Sequence, residues 1–309
     1  MVGTAIITPA IQEYYDRLLL ERARPLLTMG KWAQRRPIKT RNGTQIRFRR
    51  YNALAAATTP LVEGVTPLAG SMTYTDVTAT LAQYGYWIPI TDKIQLVSAD
   101  PILSEATEEL GEQEGLTIDT LHRNVMCGGD NAFLANSVSD RTSIVSGWAT
   151  ADLDKIVRSL KRANAKPITR MINPTTGIGT VPVDECFISI VHTDDTTDLL
   201  GLTGFIPVEK YPAQRGVFPG EVGAYKKIRF VETTNSYIVA DGGGNKGTYK
   251  STTGTKLDVY CSLIFGANAY GECPLSGAST GTIIKTEGGT ADPLNQRATA
   301  GKHGYAIVA

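Results

Sequence analysis

The feature that most limits the fold is a strand-like run that a core of this size cannot cover from end to end. Residues 73–81 (TYTDVTATL) alternate polar and apolar side chains, placing Val77, Ala79 and Leu81 on one face. The run continues through Tyr84, Tyr86, Trp87, Ile88 and Ile90. A strand spanning 73–90 measures roughly 55–60 Å, so much of it must project. Pro89 argues for a sheet edge or a strand end, because proline has no N–H for a central ladder. A second alternating run, 44–51 (TQIRFRRY), precedes it, and the two predict an extended hairpin. The connection, NALAAATTPLVEGVTPLAGSM over 52–72, carries a single charge, Glu63. Long irregular loops are uncommon in compact domains, and exposed apolar surface marks contact sites. A mobile surface loop is the plainer alternative. A projecting hairpin with Leu54, Leu61, Val62, Val65 and Leu68 at its uncharged tip suits a protein that holds a neighbour in a lattice.

Charge is balanced overall but not along the chain. The net formal charge is +1, so no bulk field draws the whole protein to nucleic acid or anionic lipid. Yet Arg22, Arg24, Lys31, Arg35, Arg36, Lys39, Arg41, Arg47, Arg49 and Arg50 follow one another with no acidic residue between them. One-sided stretches of this kind meet something negative. Packaged nucleic acid is one partner. The other is the segment 104–119, where Glu105, Glu108, Glu109, Glu112, Glu114 and Asp119 stand without a basic residue. Protein–protein pairing is preferred, since nucleic-acid binders tend to carry a recognised module and this stretch matches none, with only Trp32 and Phe48 among its basic residues.

The remaining elements are irregularly ordered helices and strands, an α+β pattern. Thr8 and Pro9 open a helix over 8–24 that Pro25 ends, with Ile11, Tyr14, Tyr15, Leu18 and Leu19 on its apolar face. Asp100 and Pro101 open the longest helix, 101–127, which Gly128 and Gly129 stop. It runs about 40 Å, with Leu103, Ala106, Leu110, Leu121 and Val125 as its apolar stripe. Gly111 and Gly115 weigh against its being straight. Residues 130–149 are rich in loop formers. A helix over 151–163 follows, capped by Thr150, with Leu153, Ile156, Val157 and Leu160 facing inward. Strands are expected at 186–192, 226–233, 257–265 and 301–308, with a short helix at 194–200 and a Gly-rich turn at 241–247.

No set of residues assembles a catalytic centre, and no cofactor or metal is expected. Gly277–Gly281 (GASTG) matches the hydrolase elbow GxSxG around Ser279, but Pro274 before it and a strand-like Ile283-Ile284-Lys285 after it give the wrong context. His122, His192 and His303 lack ligand spacing, and a helix-start cluster explains Asp194 and Asp195 beside His192. Gly242–Thr248 lacks the GxxxxGK[ST] order and reads as a hairpin turn. Cys127, Cys186, Cys261 and Cys273 are scattered and read as reduced thiols. The start of the chain has neither a basic segment nor a cleavage site of a signal peptide, and no apolar run is long enough to span a membrane.

Several ordered segments resemble the major capsid proteins of tailed double-stranded DNA bacteriophages. They are ARPLL at 23–27, FRRY at 48–51, TTPLVEGVTP at 58–67, LGEQ at 110–113, LKRANAKP at 160–167, FVETT at 230–234 and GTADPLNQRAT at 289–299. The likeness keeps its order through most of the chain; 130–149, 168–185 and 235–256 have little counterpart. It implies the Hong Kong phage capsid fold. The corresponding parts are an N-terminal arm (1–43), an extended loop (44–92), a peripheral domain with a long spine helix (93–149), an axial domain (150–265) and a return to the peripheral domain (266–309).

What the resemblance implies for function is assembly, not catalysis. The chain is expected to form pentamers and hexamers of an icosahedral shell around packaged DNA, assembled in the host bacterial cytoplasm. Scaffolding, portal and possible decoration proteins are the other expected partners, and DNA contact is non-specific. Some relatives weld their shells by Lys–Asn isopeptide bonds from the extended loop. Residues 52–72 contain no lysine, so a non-covalent shell is expected here. The contact residues are then the loop set with Glu63, the basic Arg35, Arg36, Arg49 and Arg50, and the acidic Glu105, Glu108, Glu109 and Glu112. Two alternatives from other classes are a nucleic-acid-binding module over 22–50 and a hydrolase with Ser279 as nucleophile.

Overall fold

The computed structural model describes residues 27–39, 43–97, 101–172, 180–212, 216–273, 275–276, 281–285 and 296–306. The expected helix over 8–24, the Asp100 cap, Ser279 and most of the segment 289–299 lie outside the described residues. The two alternating runs form an antiparallel hairpin of β1 (Gln45–Tyr51) and β2 (Tyr74–Thr80), in register from Gln45 opposite Thr80 to Tyr51 opposite Tyr74. Leu81 then ends the pairing, its N–H donating to Thr44 O at 2.8 Å. The chain runs on as β3 (Ala82–Thr91), which has a different partner. The single strand expected over 73–90 is therefore two strands that exchange sheets at one residue. Periodicity does not register that exchange, because the side-chain alternation continues through it.

A short helix that the sequence reading missed, α1 (Asp92–Val97), leads to the long helix α2 (Ile102–Cys127). Next come α3 (Thr150–Arg162) and the strand pair β4 (Ile168–Ile172) and β5 (Thr180–His192). Thr150 is not the expected cap. Ala149 takes the capping position in extended backbone and no side-chain cap forms; Asp152 in the first turn suits the helix dipole instead. Asn164, at φ 52°, ends the helix in the left-handed conformation that asparagine tolerates. The short α4 (Thr196–Leu200), β6 (Ile206–Pro207), β7 (Glu221–Tyr225) and β8 (Ile228–Thr233) complete the middle of the chain. Then follow β9 (Tyr237–Val239), β10 (Val259–Cys261), β11 (Leu263–Phe265), β12 (Gly281–Lys285) and β13 (Arg297–Ala306).

Among the described residues, the largest sheet has six strands in the order β11-β5-β8-β7-β6, with β4 beside β5. Strand β5 is at its centre, parallel to β8 from Phe187 opposite Ile228 to His192 opposite Thr233. Its second half is apolar on both faces because both faces are covered. Cys186, Ile188 and Ile190 pack with Met29, Phe218, Phe265 and Tyr270 on one side. Val191, Ile228 and Phe230 pack on the other with Leu153 and Val157 of α3 and Leu199 of α4. Burying each of these aliphatic side chains stabilises the fold by roughly 1.5–3 kcal/mol.

The second core lies between α2 and a three-stranded antiparallel sheet, β12-β13-β3. Ile90, Ala106, Leu110, Ala298 and Ala300 fill it. Pro89 lies opposite Thr299 on β3, an edge strand, as its missing N–H requires. The apolar stripe read along α2 holds only for its first half. Val125 is exposed, and the buried face of the second half carries Glu114, Gly115, Asp119 and His122.

Asp119 explains one of these polar burials. Its Oδ1 accepts the backbone N–H groups of Thr28 at 2.9 Å and Met29 at 2.7 Å, and its Oδ2 accepts Asn235 Nδ2 at 3.3 Å. One carboxylate thus ties the N-terminal segment and the turn between β8 and β9 to the long helix. Replacing Asp119 with alanine strands one buried and one half-buried N–H donor, and charge-assisted bonds of this kind are worth about 2 kcal/mol. The expected result is an Asp119→Ala protein that unfolds at lower urea concentration by that amount, read by circular dichroism.

Candidate assembly surfaces

The hairpin projects as the alternation requires. Every residue from Arg49 to Thr75 is exposed. At the tip, Leu54 is 68% exposed, Leu61 78%, Val62 67%, Val65 63% and Leu68 fully. Glu63 is exposed among them. A turn at Val62–Val65, closed by the Val65 N–H to Val62 O at 3.2 Å, uses Gly64 at φ 76°. Asn52 anchors the loop base to Thr73 through its backbone N–H at 3.0 Å and its Nδ2 at 2.9 Å. The five apolar side chains contribute nothing to the core of their own subunit. They form an apolar strip held out on a two-stranded arm, the kind of surface that marks an interaction site.

The basic candidates take other partners inside the subunit. Arg49 forks onto Asp76 across the hairpin, at 2.9 Å and 3.1 Å, and its guanidinium stacks on Tyr74 at 4.1 Å from the ring centroid. Tyr51 meets Tyr74 edge-on. The Arg49 hydrogen bonds hold the Asp76 carboxyl below the ordinary carboxylate range. Arg49 is therefore first a brace of the hairpin, a role that its register opposite Asp76 specifies and that residue-by-residue reading missed. Arg35 pairs with Glu272 at 2.9 Å, and Arg36 lies over the Phe48 ring. Arg50 is exposed on β1. On the long helix Glu105 and Glu109 are exposed and Glu108 and Glu112 half-buried.

The motifs set aside as structural are built as such. The N–H groups of Gly242, Gly243 and Gly244 donate to Val239, Leu257 and Ile144 carbonyls, so they offer no phosphate cradle. A Cβ on Gly243 would meet Leu257 at 2.4 Å, which makes this a tightly packed turn. Near the end of β5, Asp194 accepts Lys250 Nζ at 2.5 Å and Tyr260 Oη at 2.8 Å, and its N–H donates to His192 Nδ1. Burial and the neighbouring Asp198 and Asp194 push Asp195 up to about 7. No grouping of ligand residues that could hold a metal occurs among the described residues. None of the described helices is long and apolar enough to cross a membrane.

No protein-family model and no curated protein matches the sequence. Solved structures do match the fold. The chain is similar to a chain of the head of Helicobacter pylori bacteriophage KHP40, with TM-score 0.64 and 14% identity over 100% of this chain and 86% of that one. It is similar to a chain of the capsid of Ralstonia phage GP4, with TM-score 0.60 and 13% identity over 91% and 83%. A chain of the cyanophage Pam1 capsid matches with TM-score 0.56 and 14% identity over 100% and 94%. All three are chains of phage heads or capsids. The chain has the Hong Kong phage capsid fold, the fold implied by its sequence resemblance to the major capsid proteins of tailed phages.

Proposed function

We propose that the chain is the shell subunit of a bacteriophage capsid, joining copies of itself as pentamers and hexamers of an icosahedral shell around DNA. The observation that carries this reading is the apolar tip of the extended hairpin, wholly exposed in the subunit and supported by a capsid fold. In this reading residues 1–43 are the arm, 44–92 the extended loop, 93–149 and 266–309 the peripheral domain, and 150–265 the axial domain. Leu54, Leu61, Val62, Val65 and Leu68 are buried on a neighbouring subunit, while the exposed Arg50 and the arm residue Arg36 face Glu105, Glu108, Glu109 or Glu112 of an adjacent helix. Scaffolding, portal and decoration proteins are its further partners, and the virion is its final location, reached from the host cytoplasm.

The nucleic-acid alternative loses part of its charge, because Asp76 and Glu272 already neutralise Arg49 and Arg35. Sedimentation velocity of the protein, alone and with its scaffolding partner, separates the readings. Capsomers, tubes or closed shells are expected; a monomer in both conditions, with steeply salt-dependent DNA affinity, would favour the alternative. Arg50→Glu, which leaves the Arg49–Asp76 brace in place, is expected to impair assembly while the subunit keeps its melting temperature, and normal particle yield would argue against a contact there. Boiled, reduced particles should run as a single monomer band on a denaturing gel, and a ladder would contradict the non-covalent shell.

A further inference from the structure

Two cysteines that no role above absorbs lie on elements that pack together, Cys127 at the end of α2 and Cys261 on the β9–β10 ribbon that this helix touches. Tyr237 and Cys261 are directly opposed in that antiparallel pair, and directly opposed residues project from the same face. The Arg123 guanidinium lies over the Tyr237 ring, 5.8 Å from its centroid, and its Nη1 donates to Asn235 Oδ1 at 2.8 Å. The end of the helix therefore lies on the face from which Cys261 projects. Cys127 follows Arg123 by four residues, which places it on the same side of the helix. Both thiols are free and partly exposed, whereas Cys186 and Cys273 are buried. Burial first, and then the neighbouring Cys261, raise the Cys127 thiol above its ordinary range. Gly128 and Gly129 follow at once and leave the last turn free to adjust.

We propose that Cys127 and Cys261 are a latent disulfide that, once oxidised, staples the end of the long helix to the ribbon. The inference goes beyond the shell reading and does not depend on it. The oxidant is a small-molecule disulfide. One cysteine thiolate attacks a sulfur of the oxidant, forming a mixed disulfide and releasing one small thiol. The second cysteine then attacks the protein sulfur of that mixed disulfide and releases the other. Two electrons pass to the oxidant, and the two protons end on the released thiols. A reducing cytosol keeps such a pair open and an oxidising exterior closes it. Since burial holds both thiols above the ordinary range, closure is slow at neutral pH and speeds up as pH rises. The bridge closes a loop covering most of the middle of the chain, which restricts the unfolded state.

The test is a disulfide map of the purified protein in its native assembly state. It is incubated with oxidised glutathione at mildly alkaline pH, alkylated, and digested without reduction for mass spectrometry. The expected product is one intrachain peptide pair joining Cys127 to Cys261, with Cys186 and Cys273 alkylated. Cys127→Ser should remove that pair and leave Cys261 as a single glutathione adduct; Cys261→Ser gives the mirror result if the first variant fails to fold. Recovery of both cysteines alkylated, as separate glutathione adducts, or joined between different chains overturns the proposal, and the unsubstituted protein alone suffices to decide.

Discussion

Leu61→Asp combined with Val65→Asp is expected to abolish shell formation and leave the melting temperature of the subunit unchanged. Both side chains are more than 60% exposed, so the fold does not need them. Burying a leucine or valine against a neighbour is worth roughly 1.5–3 kcal/mol, and two together about 4 kcal/mol. At that scale the protein concentration required for assembly rises about a thousandfold. Carboxylates in the same places also bring an unpaired charge into a dry contact. Light scattering during assembly reads the first effect, and differential scanning calorimetry of the unassembled subunit reads the second. A subunit that melts early would mean that the tip packs on its own body. A double variant that assembles normally would mean that the tip touches no neighbour.

The second large effect is internal. Lys302 on β13 is 7% exposed, donates to the Leu110 carbonyl of α2, and stands 3.8 Å from the Glu114 carboxylate. Removing one member of a buried pair costs about 3–5 kcal/mol, whereas exchanging both for apolar residues is neutral or stabilising. Lys302→Ala should therefore unfold at much lower urea concentration, and Lys302→Met with Glu114→Leu should recover the loss. Burial pulls the lysine down to about 8 from its ordinary 10.5. Between these values the unfolded chain holds more protons, so this group makes stability rise with pH across that window. Below pH 8 the full cost of burying the charged ammonium is present. The double variant should lack that rise, so the difference between the two pH profiles isolates the lysine.

The elements that were legible in the sequence are those whose pattern is local. Alternation in 44–51 and 73–81 located the hairpin, and the stretch 52–72, with Glu63 as its single charge, located its exposed tip. Proline and glycine punctuation located the long helix to within a residue. What was not legible depends on partners distant in sequence. The exchange of sheets at Leu81 is invisible to a periodicity that continues through it. Glu114 and Asp119 read as part of an acidic partner for the basic stretch until Lys302 and the Thr28 and Met29 amides are known to meet them inside the fold. The exposure of the loop tip was legible from hydropathy alone, while the Arg49–Asp76 brace needed the strand register.

A reconstruction of the assembled particle by electron microscopy tests the central claim most directly. Closed shells are expected in which Leu54, Leu61, Val62, Val65 and Leu68 of each subunit are covered by a neighbouring one. A shell whose loop tips remain in solvent, or a protein that forms no particle even with its scaffolding partner, would contradict it.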